Sequence, residues 1–227
     1  MSSVRFRDRT IAGYQFSGEE LRDLLVAWVA LAIAFAIFFE RGAAGYMNTI
    51  ERAGLAGLFV PFVVSLVTAG LAFLLHEVAH KIVAVRFGQF AAFRADNSML
   101  FLAIMSAMIG FIFAAPGAVY HRGRITIKEH GLIALAGPVT NLLLMVAFVP
   151  FLVLGAVLGS HTLWIVGERA VAINLFLAAF NMIPYGPLDG KTVLRWNKPL
   201  WAIVFVPSAI VAVIAVFGFG FGFGRTI

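Results

Sequence analysis

The 227-residue chain contains no cysteine. This absence excludes disulfide bonds, thiol nucleophiles and zinc sites built from thiolates. Charged residues are scarce as well: they make up 12% of the sequence, whereas soluble globular domains carry about 25%. No polar stretch is long enough to form a separate soluble domain, and hydrophobic residues account for 62% of the chain. We therefore expect an integral membrane protein.

Several uncharged runs approach the length that a helix needs to cross a bilayer, about 20 residues. The expected fold is an all-α polytopic protein of the cell membrane, with about five transmembrane helices in a single domain over residues 1–227. We assign the spans to the runs 24–39, 55–80, 131–158, 170–180 and 200–217. The polar segment 1–23 contains a short amphipathic strand at Val4–Arg7 and, at Ser17–Glu20, a capping box that opens the first helix. We expect no PDZ-like or CBS-like regulatory domain.

Basic residues are scattered next to the apolar runs and give the chain a formal net charge of +6. This pattern is typical of anchoring at the cytoplasmic face, so we expect contact with the lipid bilayer and no nucleic-acid partner. Segment 97–120 is uncharged, but basic residues such as Arg94 and Arg122 flank it on both sides. Both flanks then lie at the same face, which predicts a re-entrant region over 88–128. Pro116 favours a broken path, either a short β-hairpin or a re-entrant helix.

The chemically distinctive stretch is His76-Glu77-Val78-Ala79-His80, which ends an uncharged run that begins at Leu55. On a helix, His76 and His80 lie one turn apart on the same face. H-E-x-x-H on a helix is typical of a zinc half-site, with two histidine ligands and the glutamate as general base. A simpler interpretation is a helix end at the membrane surface, where these side chains face water. The metal interpretation requires a third protein ligand from elsewhere in the chain.

The chain has only four aspartates, and Asp189 is the one that follows a transmembrane span. Segment 181–190 contains two prolines and two glycines, which predict that the helix unwinds before Asp189. Taken alone, Asp189 could be a solvated loop residue paired with Lys191. If segment 97–120 is re-entrant, however, Asp189 reaches the same leaflet as the two histidines. A complete crossing would put them on opposite sides, too far apart for zinc bonds of about 2 Å.

With these motifs in place, the sequence resembles the site-2 proteases, a family of intramembrane zinc metalloproteases. The resemblance rests on H-E-x-x-H at His76–His80 and on Asn181–Gly190, which is similar to the family's N-x-x-P-x-x-P-L-D-G element. Gly137-Pro138-x-x-Asn141 resembles the family's third helix, and the likeness covers residues 55–195. The chain departs from the family in two respects. The segment before Gly137 is longer than a minimal hairpin needs, and a single span follows the Asn181–Gly190 element.

The resemblance implies a zinc site and a reaction. The Zn²⁺ ligands would be His76, His80 and Asp189. Glu77 would act as general base in the hydrolysis of peptide bonds within transmembrane segments of membrane-protein substrates. The basic residues that follow the motif, Lys81, Arg86 and Arg94, predict that the active site lies toward the cytoplasm. Asn181 and Asn141 would contact substrate or the oxyanion, although the residue types themselves favour an interhelical hydrogen bond for Asn141 and allow a helix cap for Asn181. A strand edge in the re-entrant region or the N-terminal strand would suit an extended substrate.

Three alternatives compete with this interpretation. The CAAX prenyl proteases also carry H-E-x-x-H in a membrane, but their third ligand is a glutamate on a later helix, a setting that Glu129 and Glu168 lack. A metal-binding transporter should show paired inverted repeats, which are not evident. A catalytically silent membrane chaperone should have lost Glu77, which is present. The remaining histidines are interpreted as interfacial residues: His121, His130 and His161.

Overall fold

A computed structural model describes residues 9–113 and 116–215. The strand expected at Val4–Arg7 and the glycine-rich C-terminal tail lie outside these residues. In chain order the elements are β1 (Arg9–Ile11), β2 (Tyr14–Phe16), α1 (Gly18–Phe39), α2 (Gly42–Ala53), α3 (Phe59–Ser65), α4 (Leu71–Arg86), β3 (Phe90–Ala95), α5 (Asn97–Met108), β4 (Gly117–Arg122), α6 (Ile127–Leu158), α7 (His161–Asn181), α8 (Asp189–Trp196) and α9 (Lys198–Val213).

Four helical stretches are long and apolar enough to cross a membrane, namely α1, Leu55–Arg86, α6 and α7. The protein is therefore a helical integral membrane protein, as expected. The expected count of about five spans is not confirmed, because α9 has only 16 residues. The stretch Leu55–Arg86 is not a uniform helix, since a π-helical turn at Leu66–Gly70 separates α3 from α4. The Leu66 carbonyl in this turn accepts a hydrogen bond from Trp28 Nε1 at 2.9 Å.

The region between α4 and α6 starts and ends in one pair of strands, so its two ends lie side by side. β3 and β4 pair antiparallel, with Phe90 opposite Arg122 and Ala95 opposite Gly117. The pairing continues where the Asp96 N–H donates to the Pro116 carbonyl at 3.0 Å. The intervening helix α5 has 12 residues; at about 1.5 Å per residue it is shorter than the hydrocarbon core of about 30 Å. The region contains both a paired hairpin and a short helix, and its re-entrant course stays a prediction.

The start of α1 follows only half of the expected capping box. Ser17 Oγ accepts from the Glu20 N–H at 3.1 Å, but the Glu20 carboxylate points into the core, where the residue is 1% exposed. There it pairs with Lys81 of α4 and accepts a hydrogen bond from the Phe93 N–H of β3 at 3.1 Å. A buried Lys81 ammonium without a counter-charge would cost more free energy than a missing capping hydrogen bond at the start of α1. The Glu20 side chain therefore points inward.

The Lys81–Glu20 ion pair also contacts further elements, and we call this group of contacts the junction. Lys81 Nζ also donates to the Gln15 carbonyl of β2 at 2.7 Å and lies 3.8 Å from the centre of the Phe16 ring. The N-terminal hairpin, α1, α4 and β3 therefore meet around one buried ammonium group. Because Lys81 directly follows His80 on α4, this junction fixes the sheet next to the metal-binding motif.

The chain is irregular between α7 and α8, as the prolines and glycines of this segment predict. Gly186 adopts a positive φ of 59°, and Gly190 packs so closely on the Met182 backbone that a Cβ atom would not fit. The Met182 carbonyl accepts a hydrogen bond from Trp201 Nε1 at 2.8 Å. As a result α8 begins with Asp189, beside α6.

Replacing Glu20 by alanine should destabilise the protein by about 3–5 kcal/mol, because it leaves the Lys81 ammonium buried without a counter-charge. Glu19→Ala is the matched control, since Glu19 is 70% exposed and pairs with the exposed Arg94, an interaction worth about 0–1 kcal/mol. Thermal unfolding of the purified proteins in detergent measures both. Equal stability of the two variants would contradict the role given to the junction.

Candidate metal centre

The structure brings the three predicted zinc ligands together. His76 and His80 project from successive turns of α4, and their Nε2 atoms lie 3.0 Å apart. Asp189 Oδ2 lies 3.4 Å from His76 Nε2 and 3.3 Å from His80 Nε2. Tetrahedral zinc with bonds of about 2.0–2.1 Å places its ligand atoms about 3.3 Å apart. The spacing of the three donor atoms therefore fits a zinc ion, and the donor set of two imidazoles and one carboxylate is one that zinc accepts.

The outer nitrogen of each histidine is held by a group on α6. His76 Nδ1 lies 2.6 Å from Asn141 Oδ1, and His80 Nδ1 lies 2.7 Å from the Ile133 carbonyl. Both partners are oxygen acceptors, so each ring carries its proton on Nδ1 and leaves the Nε2 lone pair for a metal. Partners of this kind fix the tautomer and the orientation of histidine ligands.

Asn141 is itself anchored on two further helices. Its Nδ2 donates to the Ala72 carbonyl of α4 at 3.2 Å and to Asn174 Oδ1 of α7 at 3.0 Å. Asn174 Nδ2 in turn donates to the Ala170 carbonyl at 2.9 Å, and both asparagines are fully buried. The interhelical hydrogen bonds expected for Asn141 are thus present. Because both of its amide atoms are engaged within the protein, these contacts support a positioning role behind His76 and give no support to contact with substrate.

Asn174 belongs to this network but carries no motif. It lies in the otherwise apolar run 170–180, which the sequence predicts to be part of a transmembrane span. The single amide side chain inside such a run was the sequence signal for a buried hydrogen bond, since an unpaired polar group at membrane depth costs free energy.

Gly137 explains how α6 can approach the ligands. A Cβ atom at this position would lie 2.5 Å from Nε2 of both His76 and His80. Any larger residue would fill the space that the metal needs. The family resemblance at Gly137-Pro138 therefore has a local steric reason, which the sequence alone did not provide.

Asp189 is suited to be the anionic ligand. Burial by itself would raise the pKa of its carboxyl, but positive charge on the adjacent His80 and His76 rings would outweigh this effect and hold the pKa below its usual range. A divalent cation would act in the same direction. The residue therefore presents a carboxylate, and its place at the first position of α8 adds the favourable N-terminal end of the helix dipole.

Glu77 lies beside the ligands without belonging to the ligand group. It is buried, with 7% of its surface exposed, and its carboxylate lies beside the Val119 N–H of β4. Glu77 therefore lies next to the metal ligands without being one of them, which leaves its carboxylate free to act as a general base. The motif glutamate also lies against β4, a strand distant from it in the sequence.

Two known proteins are similar to the chain over most of its length. "Putative zinc metalloprotease MJ0611" of Methanocaldococcus jannaschii is 38% identical over 196 residues, which cover 86% of this chain and 93% of that protein. "Putative zinc metalloprotease YwhC" of Bacillus subtilis is 32% identical over 154 residues, covering 60% of this chain and 68% of that protein. The chain belongs to this zinc metalloprotease family. No family model and no solved structure matches it.

Zinc is accordingly the cofactor of this metalloprotease, because the names of its relatives agree with the His/His/Asp group that the structure assembles. Asn181, the remaining candidate site residue, is the last residue of α7. Its Nδ2 donates to the Leu177 carbonyl at 3.0 Å, as a residue that ends a helix does. Its contact with substrate or an oxyanion stays a prediction.

Replacing Gly137 by alanine should strongly reduce zinc binding by the metalloprotease, because the added methyl group would occupy the space between the two imidazoles. The control is Ala136→Ser, which adds one atom at the neighbouring half-buried position of α6. Zinc per chain, measured by elemental analysis of the purified proteins, distinguishes them. A Gly137→Ala protein that still holds about one zinc would contradict the steric argument.

Replacing Asn141 by leucine should weaken zinc affinity about 10–100-fold, because the side chain keeps its volume but His76 loses its acceptor. Asn181→Leu is the control, since within the described residues the Asn181 side chain bonds to its own helix. Competition with a chromogenic chelator gives the two affinities. Equal zinc affinity in both variants would show that the Asn141–His76 hydrogen bond does not position the ligand.

Proposed function

We propose that this metalloprotease is a site-2-type intramembrane protease, which hydrolyses peptide bonds within transmembrane segments of membrane-protein substrates. The observation that carries the proposal is the position of the ligands. His76 and His80 lie within a stretch long enough to span a membrane, Leu55–Arg86, and Asp189 follows another such helix, α7. A metal centre formed by elements that enter the bilayer is suited to substrates that lie in it.

Glu77 is the proton carrier of the proposed reaction. Zinc, when bound, polarises the scissile carbonyl and makes a water molecule more acidic. A carboxylate oxygen of Glu77 accepts a proton from that water molecule as the water oxygen attacks the carbonyl carbon. The same carboxyl group then gives the proton to the departing amine nitrogen as the C–N bond breaks. Water is consumed, a carboxylic acid and an amine are formed, and Glu77 ends in its starting state.

The two outer edges of the β3–β4 pair differ in a way that favours one substrate position. The N–H groups of Phe93 and Ala95 on β3 are occupied by Glu20 at 3.1 Å and by Asp23 at 3.4 Å. The outer edge of β4 is the one next to the metal centre, because its Val119 N–H lies beside the Glu77 carboxylate. We infer that an unwound substrate segment adds as a strand along β4, since strand addition holds a peptide extended through backbone hydrogen bonds.

The orientation of the proposed site follows from the charges around it. Basic residues lie at the metal-binding ends of the spans, at Arg86, which ends α4, and at Lys191 and Arg195 in α8. By the positive-inside rule these ends face the cytoplasm, and water would reach the centre from that side. Asn181 ends the helix that leads to Asp189, and its side-chain amide is the donor that we propose for the developing oxyanion.

The proposal is tested by Glu77→Gln in proteoliposomes that contain a transmembrane reporter. This variant should keep its zinc and lose about 10²–10⁴-fold in cleavage rate, because the amide cannot accept the proton. The control is Glu51→Gln, which changes an exposed glutamate on α2 and should cleave at the wild-type rate.

Two outcomes would count against the proposal. Undiminished cleavage by Glu77→Gln would remove the mechanism. Cleavage of a soluble peptide with the reporter's sequence, but not of the same sequence in the bilayer, would retain a zinc metalloprotease and overturn the intramembrane assignment.

A further inference from the structure

A polar cavity lies close to the metal centre but is lined by none of its ligands. It has a volume of about 290 Å³ and lies between the first turn of α6 and α8, lined by Ile127, His130, Thr192 and Arg195. The three polar side chains in this lining can all donate hydrogen bonds, and none of the four is acidic. Such a lining is complementary to an anion.

The charge around the cavity has the same sign. Segments 122–130 and 189–198, which contain its lining, include six basic residues and two acidic ones. Both acidic groups are engaged elsewhere: Glu129 closes the capping box with Thr126, and Asp189 contacts the metal-binding histidines. Across residues 9–113 and 116–215, no carboxylate forms an ion pair with Arg195. The guanidinium group is therefore available to a ligand.

The cavity lies where a membrane surface would be. α6 begins at Ile127 and is one of the four membrane-length helices, so its first turn marks the end of a span. Trp196 at the end of α8 packs against Gly131 of α6, and Trp201 lies on the first turns of α9. Tryptophan is enriched at the level of lipid headgroups, and basic pockets between membrane helices on this side bind such headgroups.

We propose that this cavity binds the phosphate group of an anionic phospholipid. The Arg195 guanidinium can donate two parallel hydrogen bonds to one phosphate, while the Thr192 hydroxyl and a His130 ring N–H supply further donors. Ile127 gives an apolar wall toward the glycerol end of the lipid. The His130 ring makes a T-shaped contact with the ring of His121 on β4, whose centre is 5.5 Å away.

The bound phosphate would tie α8, which carries the ligand Asp189, to α6, which holds both histidine ligands in place. Thr192 and Arg195 are three residues apart on one face of α8, the helix that begins with the ligand Asp189. His130 is on α6, the helix that positions both histidines. A phosphate that bridges α6 and α8 therefore holds Asp189 against the histidines, and the lipid should slow the loss of zinc.

Lipid binding to the purified full chain, measured by native mass spectrometry from nanodiscs, tests the proposal. Wild type should retain phosphatidylglycerol in preference to phosphatidylcholine, and Arg195→Gln should weaken this binding about fivefold, as expected for one basic group near an anionic headgroup. The control is Lys198→Gln, which removes an equal charge from a residue outside the cavity lining and should bind like wild type. Inorganic phosphate, added up to millimolar concentration, should not displace the lipid.

Several results would overturn it. Equal loss of binding in Arg195→Gln and Lys198→Gln would indicate general surface charge and no defined site. Displacement of the lipid by inorganic phosphate would assign the cavity to the free ion. Release of zinc to a chelator provides a readout independent of proteolysis: it should be slower with phosphatidylglycerol for wild type and not for Arg195→Gln. An identical lipid effect on both proteins would disprove the coupling to Asp189.

Discussion

The metal centre depends on the close contact between α4 and α6 at Gly137. α6 supplies no ligand, yet it provides the acceptor for each histidine, through the Asn141 side chain and the Ile133 carbonyl. The missing side chain at Gly137 creates the space in front of both Nε2 atoms. An antiparallel helix pair with these three features at successive turns orients two imidazoles before any metal arrives. Preorganisation of this kind reduces the entropy that metal binding would otherwise cost.

A second constraint acts on the opposite side of α4. Lys81 follows His80 directly, and the two side chains point to different neighbours: His80 toward α6 and Lys81 into the junction with Glu20. A buried ion pair contributes little net stability when compared with apolar packing, but it penalises any arrangement that separates the partners. Because Glu20 also binds β3 and β3 carries β4, the junction sets the distance between the sheet and Glu77. One helical turn thus fixes both a ligand and the strand beside the general base.

The sequence predicted those parts of the site that depend on local pattern or on topology. The helical spacing of His76 and His80 and the charge pattern that brought Asp189 to them both agree with the geometry. The inward turn of Glu20 was not predictable, because its local pattern satisfies a helix cap and only the buried Lys81, distant in sequence, changes its partner. Asn174 was missed for a related reason: its significance comes from Asn141 on another helix. Local rules fail where a residue's partner is distant in the chain.

The irregular segment between α7 and α8 has a physical explanation in this arrangement. A continuous helix through Asp189 would carry its carboxylate along the axis of α7 and past the histidines. The irregular segment after Asn181 lets the chain turn, so that α8 starts afresh against α6 with Asp189 at its first position. There the carboxylate lies at the positive end of a helix dipole and within 3.4 Å of both imidazoles. The third ligand therefore rests on the same helix, α6, that orients the other two. The geometry of the centre is set by one membrane-length helix that contributes no ligand.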